Sequence, residues 1–425
     1  MRVLVVGSGA REHALCARIA ASPLVREVLC APGNAGIADA FPVRPVAADD
    51  LAGLVALCLR ERVDLVVPGP EAPLVAGLAD RLAAAGVPCF GPVAAAARLE
   101  GSKGFSKDFM ARHGIPTAAY ARFDDLARAT AYARSVGHRV VVKADGLAAG
   151  KGVTVCDDVD QAVAALTRAL RDGAFGEAGA SVVVEERLEG QEVSLHVACD
   201  GERYAVLGAA QDHKRLGDGD TGPNTGGMGA YSPVPAWTPA LEARALREVV
   251  EPTLRGIAEE GAPFRGVLFV GLMLTPDGGA RVLEYNVRFG DPECAVLLAR
   301  LDGDVVPWLL GCARGALDVG DVRHRDVAAV GVVVAAEGYP DAPRRGVTIG
   351  GLDRAARTAS VQVLHAGTGR DGTRWVTAGG RVLLLVATAR TFDEARARAY
   401  EAVDAVELPG AQVRRDIGWR AARDP

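Results

Sequence analysis

Short apolar runs alternate along the first third of the chain with segments whose apolar residues recur at helical spacing. Strands of this kind, alternating with helices, form parallel βαβ units whose strands are buried on both faces. The pattern therefore predicts an N-terminal Rossmann-like, parallel-sheet α/β domain. The apolar runs are 2–6, 26–30, 63–69 and 87–91, and the helical segments between them are 11–21, 49–61 and 72–85.

The rest of the chain predicts an α+β region and then a small β-rich domain, with a boundary near 318–327, where charged residues interrupt the apolar pattern. A hairpin is expected around the turn Pro276–Gly278. The predicted strands are 140–144, 152–156, 181–188, 191–199, 266–274, 280–287, 327–336, 360–367 and 381–389, and the predicted helices are 92–113, 158–172, 239–260, 291–301, 303–315 and 392–405.

Residues 211–235 have neither a helical nor a strand period and are rich in Gly, Pro, Asp and Thr. A structureless stretch of this length inside a compact protein is usually functional or disordered. His213 lies in this stretch, where either a direct role or an ordinary buried position is open. The segment is therefore a candidate part of a binding site.

The composition is that of a soluble globular protein: 425 residues, 49% hydrophobic, 24% charged, and 48 basic against 53 acidic side chains, for a net charge of −5. This length corresponds to about three domains. The acidic balance argues against bulk nucleic-acid binding. With neither a signal peptide nor an apolar run of membrane length, the chain is expected to be cytoplasmic.

The eight cysteines never stand in C-x-x-C spacing and are expected to be reduced core residues.

Lysine is rare, because only five of the 48 basic residues are lysines. All five lie between positions 103 and 214, which indicates that some of them are needed as compact ammonium groups, for example to bind phosphate oxygens. Chance survival in an arginine-biased genome is the alternative. The lysines are Lys103, Lys107, Lys143, Lys151 and Lys214.

The first strand ends in Gly7-Ser8-Gly9, the beginning of a dinucleotide-binding fingerprint. Glu12 replaces the third glycine, and the second strand does not end in the acidic residue that would hold a ribose hydroxyl. A nicotinamide enzyme is therefore disfavoured, and either an anion-binding substrate loop or a structural turn remains. The segment GPEAPL at 69–74 follows the third strand at the same edge of the inferred sheet, where such sheets bind ligands.

A strand lysine, Lys143, precedes the glycine-rich segment ADGLAAGKGV. Backbone N–H groups of such a segment can wrap a phosphate chain, although valine follows its last glycine, so that it is not the usual phosphate loop. A purely structural hairpin is the alternative. The residues of interest are Gly146, Gly150, Lys151 and Gly152.

Carboxylates at two later strand ends complete the candidate chemistry. Glu185, Glu186 and Glu192 could accept hydrogen bonds from ribose hydroxyls, or form an exposed acidic turn. Glu284 and Asn286 are two residues apart on an inferred strand, so both point to one face and offer hard oxygen ligands that suit Mg²⁺. Arg288 extends that face, where a buried ion pair is the structural alternative.

In this order, the strand lysine, the glycine-rich flap, the acidic strand end and Glu-x-Asn resemble the ATP-grasp superfamily, whose members activate a carboxylate as an acyl phosphate. Motifs from residue 3 to residue 420 resemble more closely still the phosphoribosylamine-glycine ligase family, and the stretch 211–233 is the most specific of them. The motifs are VVGSGAREHAL, APGNAG, GPEAPL, FGP, LEGSKGFSKDFMARHGIPTA, VVKADGLAAGKGV, QDHKRLGDGDTGPNTGGMGAYSP, RFGDPE, HAGT and DIGWRA.

The resemblance implies that glycine is joined to 5-phosphoribosylamine through glycyl phosphate, giving glycinamide ribonucleotide, ADP and phosphate in the second step of de novo purine synthesis. It implies ATP with Mg²⁺ or Mn²⁺, small-molecule substrates only, no nucleic-acid or membrane partner, and a monomer. The implied domains are an N-terminal substrate domain (1–102), an ATP-grasp domain (103–325) with a mobile lid at about 123–184, and a C-terminal domain (326–425).

The resemblance also assigns site residues by motif position. For ATP they are Lys103, Lys143, Gly146, Gly150, Lys151, Gly152, Glu185, Glu186, Leu188 and Glu192, and for the metal Glu284 and Asn286. Glycine or the acyl phosphate would face Arg288, Asp212 and Lys214. The residues expected to hold phosphoribosylamine are Gly9, Arg11, Glu71, Asn224, Thr225, Gly226 and Gly227.

Two departures from the family pattern stand out. The strand before Glu-x-Asn carries no acid until Asp277 in the turn, so a second metal would need a ligand from elsewhere. Cys294 and Ala295 replace a usual Thr-Gln pair.

Two alternative functions remain open from the sequence. One is another ATP-grasp carboxylate-amine ligase or carboxylase, and the other is a catalytically silent nucleotide-binding scaffold.

Overall fold

The computed structural model describes residues 1–137, 139–148 and 150–421, and its N-terminal part is built on a three-stranded parallel sheet of order β2-β1-β3. Both faces of the first strand are buried, which explains its uninterrupted apolar run. The predicted strand at 87–91 is reduced to a single bridge between Val66 and Cys89. The elements are β1 (Arg2–Gly7), α1 (Ala10–Ala20), β2 (Glu27–Pro32), α2 (Ala35–Ala40), α3 (Leu51–Glu61), β3 (Leu65–Pro68), α4 (Ala72–Val75), α5 (Leu78–Ala84) and α6 (Ala94–Gly101).

A four-stranded antiparallel sheet of order β4-β7-β5-β6 follows, and two helices pack on it. The predicted helix over 92–113 is two helices, because Ser102 is extended and its hydroxyl accepts the N–H of Phe105 as an N-cap. The elements are α7 (Lys103–Arg112), β4 (Tyr120–Phe123), α8 (Leu126–Ser135), β5 (Val140–Ala144), β6 (Val153–Val155), α9 (Val159–Leu166) and β7 (Val182–Glu186).

The largest sheet has eight strands in the order β14-β13-β8-β9-β12-β17-β22-β19. The predicted hairpin around 276–278 is β13 and β14, paired antiparallel. Residues 246–250 form a π-turn within the predicted helix 239–260. The next elements are β8 (Gln191–Asp200), β9 (Tyr204–Asp212), β10 (Arg215–Gly217), β11 (Thr221–Asn224), β12 (Gly229–Ser232), α10 (Pro239–Ala245), α11 (Glu251–Glu259), β13 (Arg265–Leu274), β14 (Ala280–Asn286), α12 (Glu293–Arg300), β15 (Leu301–Asp302), α13 (Val306–Arg314) and β16 (Arg323–His324).

The strands of the C-terminal part continue this same sheet, because β12 pairs with β9 on one side and with β17 on the other. The C-terminal domain is therefore hydrogen-bonded to the central one across β12. The remaining elements are β17 (Ala328–Ala335), β18 (Thr348–Ile349), α14 (Leu352–Ala355), β19 (Val361–His365), β20 (Thr368–Asp371), β21 (Arg374–Thr377), β22 (Arg381–Ala389) and α15 (Phe392–Ala405).

The composition of the stretch 211–235 suggested that it has no regular structure. The structure shows otherwise, because β10, β11 and β12 lie within it. All four residues of β12 are buried, so its two faces do not alternate between polar and apolar side chains. The eight cysteines are buried and unpaired, as predicted. No helix among the described residues is long and apolar enough to cross a membrane.

Candidate active site

The candidate site lies where the four-stranded sheet faces the eight-stranded one. Lys143 on β5 reaches across, and its Nζ donates to the backbone oxygen of Leu283 on β14 at 3.0 Å. Thr117, between α7 and β4, makes a further contact with β14, because its hydroxyl donates to the oxygen of Val282 at 2.6 Å. These contacts bring the strand lysine and the Glu-x-Asn strand to one place.

Glu185 on β7 lies between two lysines. Its Oε1 is 3.0 Å from Nζ of Lys143 and its Oε2 is 3.0 Å from Nζ of Lys107, and all three side chains are almost fully buried. Lys107 also donates to the hydroxyl of Thr117 at 2.6 Å. Burial lowers the pKa of Lys107 to about 8, although Glu185 opposes this shift. Lys107 had no predicted role, and the rarity of lysine was the only signal that could have found it.

Lys103, the first residue of α7, lies beside the Glu-x-Asn pair. Its Nζ is 2.6 Å from Oε2 of Glu284, which lies 181 residues further along the chain. The beginning of α7 is held by Asp145 at the end of β5, whose carboxylate accepts the hydroxyl of Ser102 at 2.9 Å and the N–H of Gly104 at 2.5 Å. The flap strand β5 thus positions Lys103 as well as Lys143.

Glu284 and Asn286 fit a divalent cation by the chemistry of their donors. They share one face of β14, because the intervening Tyr285 points the other way and hydrogen-bonds Thr253. Burial disfavours the charged form of Glu284, but the ammonium groups of Lys103, Lys214 and Lys143 outweigh it and hold the pKa of this carboxyl well below its usual range. Nδ2 of the buried Asn286 has no hydrogen-bond partner among the described residues.

Besides this pair, few of the described side chains in this region could bind a metal ion. Within residues 1–137, 139–148 and 150–421, no group of three or more His, Cys, Asp or Glu side chains is arranged to hold a metal. The residue opposite Glu284 on β13 is Gly271, and Asp277 instead stabilises the hairpin turn by accepting the N–H of Gly279 at 3.1 Å. Two protein oxygens plus phosphate oxygens are the usual environment of Mg²⁺ at a nucleotide site.

An electrostatic cluster lies next to this pair and consists of Glu192 on β8, Asp212 at the end of β9, Lys214 just after it and Glu293 at the start of α12. Nζ of Lys214 is 2.7 Å from Oε2 of Glu192. Burial raises the pKa of Asp212 to about 7; Lys214 opposes this shift, and Glu293 and Glu192 add to it. Burial also raises the pKa of Glu293, whose Oε1 accepts from the hydroxyl of Ser194 at 3.3 Å. This cluster therefore has a carboxyl group that titrates near neutral pH.

Arg288 joins the N-terminal domain to the Glu-x-Asn strand. Its Nε is 3.0 Å from Oε2 of Glu71, and its Nη2 is 2.8 Å from Oε1 of Glu100. Glu100 also accepts the N–H of Val287 at 2.7 Å, which fixes its carboxylate. Arg288 and Glu71 were predicted to bind different substrates, and the structure places them in direct contact.

The carboxylate of Glu12 binds the backbone of the Gly7–Gly9 turn. Glu12 accepts the N–H of Gly9 at 2.5 Å, at the N-terminus of α1, and its Oε1 is 2.6 Å from Nε of Arg11. Arg11 is buried and donates to the backbone oxygen of Phe289 at 3.0 Å. In a dinucleotide-binding site, a third glycine would leave this place open for a pyrophosphate, whereas here the Glu12 side chain occupies it. This arrangement disfavours a dinucleotide site, as the sequence did.

Residues 224–227 form a tight turn beside Lys214. Asn224 pairs with Arg215 in the β10–β11 ladder, and the hydroxyl of Thr225 donates to the oxygen of Lys214 at 2.9 Å and accepts the N–H of Gly227 at 3.0 Å. His213 is buried, and its Nε2 accepts the N–H of Gly418 at 3.0 Å. The His213 ring thus holds the C-terminal segment against this loop.

The glycine-rich flap links β5 to β6, and Ala149 within it lies outside the described residues. Gly146 packs closely on Ala178, where a Cβ would come within 2.8 Å of the neighbouring Cα. Gly150 has φ of 77°, and Lys151 is exposed. Gly152 accepts the N–H of Ala144 at 2.8 Å, which closes the hairpin.

Four further positions complete the account of the residues that the sequence singled out. Glu186 ends β7, and Leu188 follows it, half-buried, on the way to β8. Cys294 and Ala295 belong to α12 and are buried in the hydrophobic core, so small apolar side chains suit both places.

The chain matches the phosphoribosylglycinamide synthetase family in three consecutive parts: the N domain over residues 1–100, the ATP-grasp (A) domain over 101–294 and the C domain over 329–420. A phosphoribosylamine-glycine ligase of Mesorhizobium japonicum is 54% identical over 421 residues, which cover 99% of this chain and 98% of that protein.

Solved structures show the same architecture. The crystal structure of phosphoribosylamine-glycine ligase from Thermotoga maritima is 35% identical, with a TM-score of 0.86 over 98% of this chain and 100% of that one. The biotin carboxylase of Campylobacter jejuni in complex with β,γ-ATP is 15% identical, with a TM-score of 0.75 over 97% of this chain and 92% of that one, and shares the fold.

Proposed function

The chain belongs to the phosphoribosylglycinamide synthetase family, as its motifs predicted, and we propose that the site between the two sheets joins glycine to 5-phosphoribosylamine with ATP. The products are glycinamide ribonucleotide, ADP and phosphate, and the reaction is the second step of de novo purine synthesis. The observation that carries this proposal is the meeting of Lys103, Lys143, Glu284 and Asn286 at one place, on segments distant in sequence.

The chemistry divides into two transfers. A carboxylate oxygen of glycine attacks the terminal phosphorus of ATP, the bond to the bridging oxygen breaks, and ADP leaves with that electron pair. The amine of phosphoribosylamine then attacks the carbonyl carbon of glycyl phosphate, phosphate leaves, and the nitrogen loses a proton. Phosphorylation makes a poor electrophile reactive and replaces one difficult step with two easier ones.

Lys103 and Lys143 are proposed to hold the phosphates of ATP, with the flap residues Gly146, Gly150, Lys151 and Gly152 covering them. Phosphoryl transfer depends on positioning and charge neutralisation, for which ammonium groups and backbone N–H groups are sufficient. The adenine is proposed to lie against Glu185 and the backbone of 186–188, and the ribose against Glu192. The ion pair of Glu185 with Lys143 and Lys107 supports this placement, because it fixes the lysine beside the carboxylate.

Glu284 and Asn286 are proposed to hold Mg²⁺ or Mn²⁺. Such an ion neutralises developing charge on phosphate oxygens and orients them. The low pKa of Glu284 keeps this side chain ionised at neutral pH. Its ion pair with Lys103 supports this proposal, because one ammonium group and one anionic ligand lie side by side, as binding of a phosphate chain with its metal requires.

Asp212, Lys214 and Arg288 are proposed to face glycine or the acyl phosphate. The attraction of Lys214 to both Glu192 and Asp212 supports this role, since its charge balances these carboxylates before substrate binds. Phosphoribosylamine is proposed to lie against Gly9, Arg11, Glu71, Asn224, Thr225, Gly226 and Gly227. Support comes from the contact of Arg288 with Glu71, which joins the two substrate regions.

The proposed domain limits are 1–102, 103–325 and 326–425, with the lid at about 123–184, which spans the four-stranded sheet from β4 to β7. Closure of a lid excludes water, which would hydrolyse an acyl phosphate. We propose a cytoplasmic monomer, and the mass measured by light scattering after gel filtration would test the monomer.

Transfer of oxygen isotope from glycine tests the glycyl phosphate step. Glycine labelled with ¹⁸O in its carboxylate should yield phosphate that carries one labelled oxygen, because the carbonyl–oxygen bond breaks in the second transfer. Mass spectrometry of the released phosphate measures this. Phosphate without label would exclude the proposed route, and label from bicarbonate in the product would indicate a carboxylase.

A further inference from the structure

Arg381, the first residue of β22 in the C-terminal part, joins the 224–227 turn, which the proposed function assigns to phosphoribosylamine, to the loop at Asp291. One guanidinium nitrogen, Nη1, donates to the backbone oxygen of Gly226 at 2.6 Å and to that of Asp291 at 2.7 Å. The other, Nη2, is 3.0 Å from Oδ2 of Asp291. The guanidinium suits this role because its rigid fork presents donors on two separate nitrogens.

The two segments that Arg381 joins also pack directly on each other. A Cβ at Gly227 would come within 2.6 Å of the Pro292 ring, so the turn lies against the loop that follows the Glu-x-Asn strand. The N-terminal domain meets them there, because a Cβ at Gly9 would be 3.3 Å from Oδ2 of Asp291. Segments from the N-terminal and central parts of the chain therefore converge on one arginine of the C-terminal part.

A second side chain from the C-terminal part holds the same turn. The hydroxyl of Tyr339 accepts the N–H of Gly226 at 3.0 Å. Both backbone polar groups of Gly226 are thus bound by side chains of the C-terminal domain. A Cβ at Gly226 would lie 3.2 Å from Cζ of Arg381, which leaves little room for any residue larger than glycine.

We propose that Arg381 is a positioning residue that, with Tyr339, holds the 224–227 turn and the Asp291 loop in the arrangement that receives phosphoribosylamine. This inference rests on the proposed function, which places that substrate beside Gly9 and residues 224–227. Arg381 acts through backbone and carboxylate groups and lies outside the cluster of Lys103, Lys143 and Glu284. Loops that are already ordered bind a ligand more tightly, because less entropy is lost on binding. Loss of the Arg381 side chain should therefore weaken the binding of phosphoribosylamine selectively.

Steady-state kinetics with each substrate varied in turn test this inference, using wild type, Arg381→Ala and Arg381→Lys. The control Arg374→Ala removes an equally charged side chain from the same domain, where it pairs with the nearby Asp371 and is 65% exposed. For Arg381→Ala the KM for phosphoribosylamine should rise more than about tenfold, since hydrogen bonds to charged groups are each worth roughly one factor of ten. The KM for ATP and the Kd for ATP measured by calorimetry should stay within about twofold.

Arg381→Lys should give an intermediate KM, because an ammonium group keeps the charge but has all its donors on one nitrogen and lacks the planar fork. Arg374→Ala should behave as wild type. An equal rise in all three KM values, or an unchanged KM for phosphoribosylamine, would overturn the inference and leave the proposed function intact. A wild-type protein that does not use phosphoribosylamine would overturn the proposed function itself.

Tyr339→Phe keeps the test open if Arg381→Ala fails to fold, because it removes a single hydroxyl. It should raise the KM for phosphoribosylamine by about two- to fivefold, the value of one neutral hydrogen bond. The Arg381→Lys and Tyr339→Phe changes should couple in a double-mutant cycle, since they act on the same glycine. Strict additivity together with an unchanged KM in Tyr339→Phe would contradict the proposal.

Discussion

Glu185 and Lys107 form a buried ion pair, with 3.0 Å between Oε2 and Nζ. The other carboxylate oxygen of Glu185 lies the same distance, 3.0 Å, from Lys143, so one carboxylate orients two lysines. Because both partners are withdrawn from water, removing either charge would leave the other poorly compensated. The strand lysine of the site, Lys143, thus contacts Glu185 of its own sheet as well as the backbone of β14.

Lys107→Met should therefore weaken both folding and ATP binding. We expect a loss of unfolding free energy on the order of 3 kcal/mol, the lower range for breaking a buried pair, because Lys143 still accompanies Glu185. The Kd for ATP should rise about tenfold or more. Lys151→Met is the matched control, since Lys151 is exposed, and it should leave the urea midpoint unchanged. Equal urea midpoints for both variants would show that the Glu185 pair does not support the fold.

Asp212→Asn should change how stability depends on pH. The pKa of Asp212 is about 7 in the folded protein against an ordinary value of 3.8, so between these values the folded state binds more protons than the unfolded one. This contribution to wild-type stability is present below pH 3.8 and is lost as pH rises through 7. Asparagine has no such proton to lose, so the Tm of Asp212→Asn relative to wild type should be higher at pH 8 than at pH 5.

The same titration predicts a kinetic effect. If the ionised carboxylate of Asp212 faces the ammonium group of glycine, kcat/KM for glycine in the wild type should fall as pH decreases through about 7. The ATP Kd should not follow this curve. A Tm difference independent of pH, together with a flat glycine profile, would contradict the assignment.

Arg288→Ala, alone and combined with Glu100→Gln, distinguishes a structural role of Arg288 from a role in substrate binding. The single variant leaves the carboxylates of Glu71 and Glu100 unpaired and should lower the unfolding free energy by about 3–5 kcal/mol. Adding Glu100→Gln removes one of the unpaired charges and should restore part of the Tm. Activity should stay low in both variants. Recovery of activity together with Tm would show that Arg288 has only a structural role.

Trypsin should cut the flap of the free protein after Lys151, which is exposed, and much more slowly with ATP and Mg²⁺. The 211–229 segment should resist cleavage, although its composition suggested a loop. Its backbone is paired in β10 and β11, and Arg215 donates to the oxygen of Gly222 at 2.7 Å. Peptide mass mapping measures both sites. Early cleavage after Lys214 or Arg215 would contradict this description.

Local patterns were sufficient for most of the fold. The predicted bounds of the helix 392–405 agree with α15, and the hairpin that carries Glu284 and Asn286 lies where its turn residues predicted. Spacing of two on a strand also placed both side chains on one face. These features depend on neighbours in the sequence, and neighbours are what periodicity and turn chemistry report.

The features that were missed depend on partners far away along the chain. The strand β12 pairs with β17, about a hundred residues later, and its own sequence GAYS has no period because both faces are buried. Arg381 binds Gly226 from 155 residues away. Lys107 lies on the inner side of a helix whose motif gives no sign of its partner. No local signal distinguishes such residues from ordinary ones.

Release of ADP from the purified chain tests the central claim most directly, with ATP, Mg²⁺, glycine and freshly generated phosphoribosylamine each omitted in turn and the product mass measured. We predict that release requires all four components and that the new product has the mass of glycinamide ribonucleotide. Release of ADP at the full rate without glycine or without phosphoribosylamine, or a product of another mass, would contradict the account.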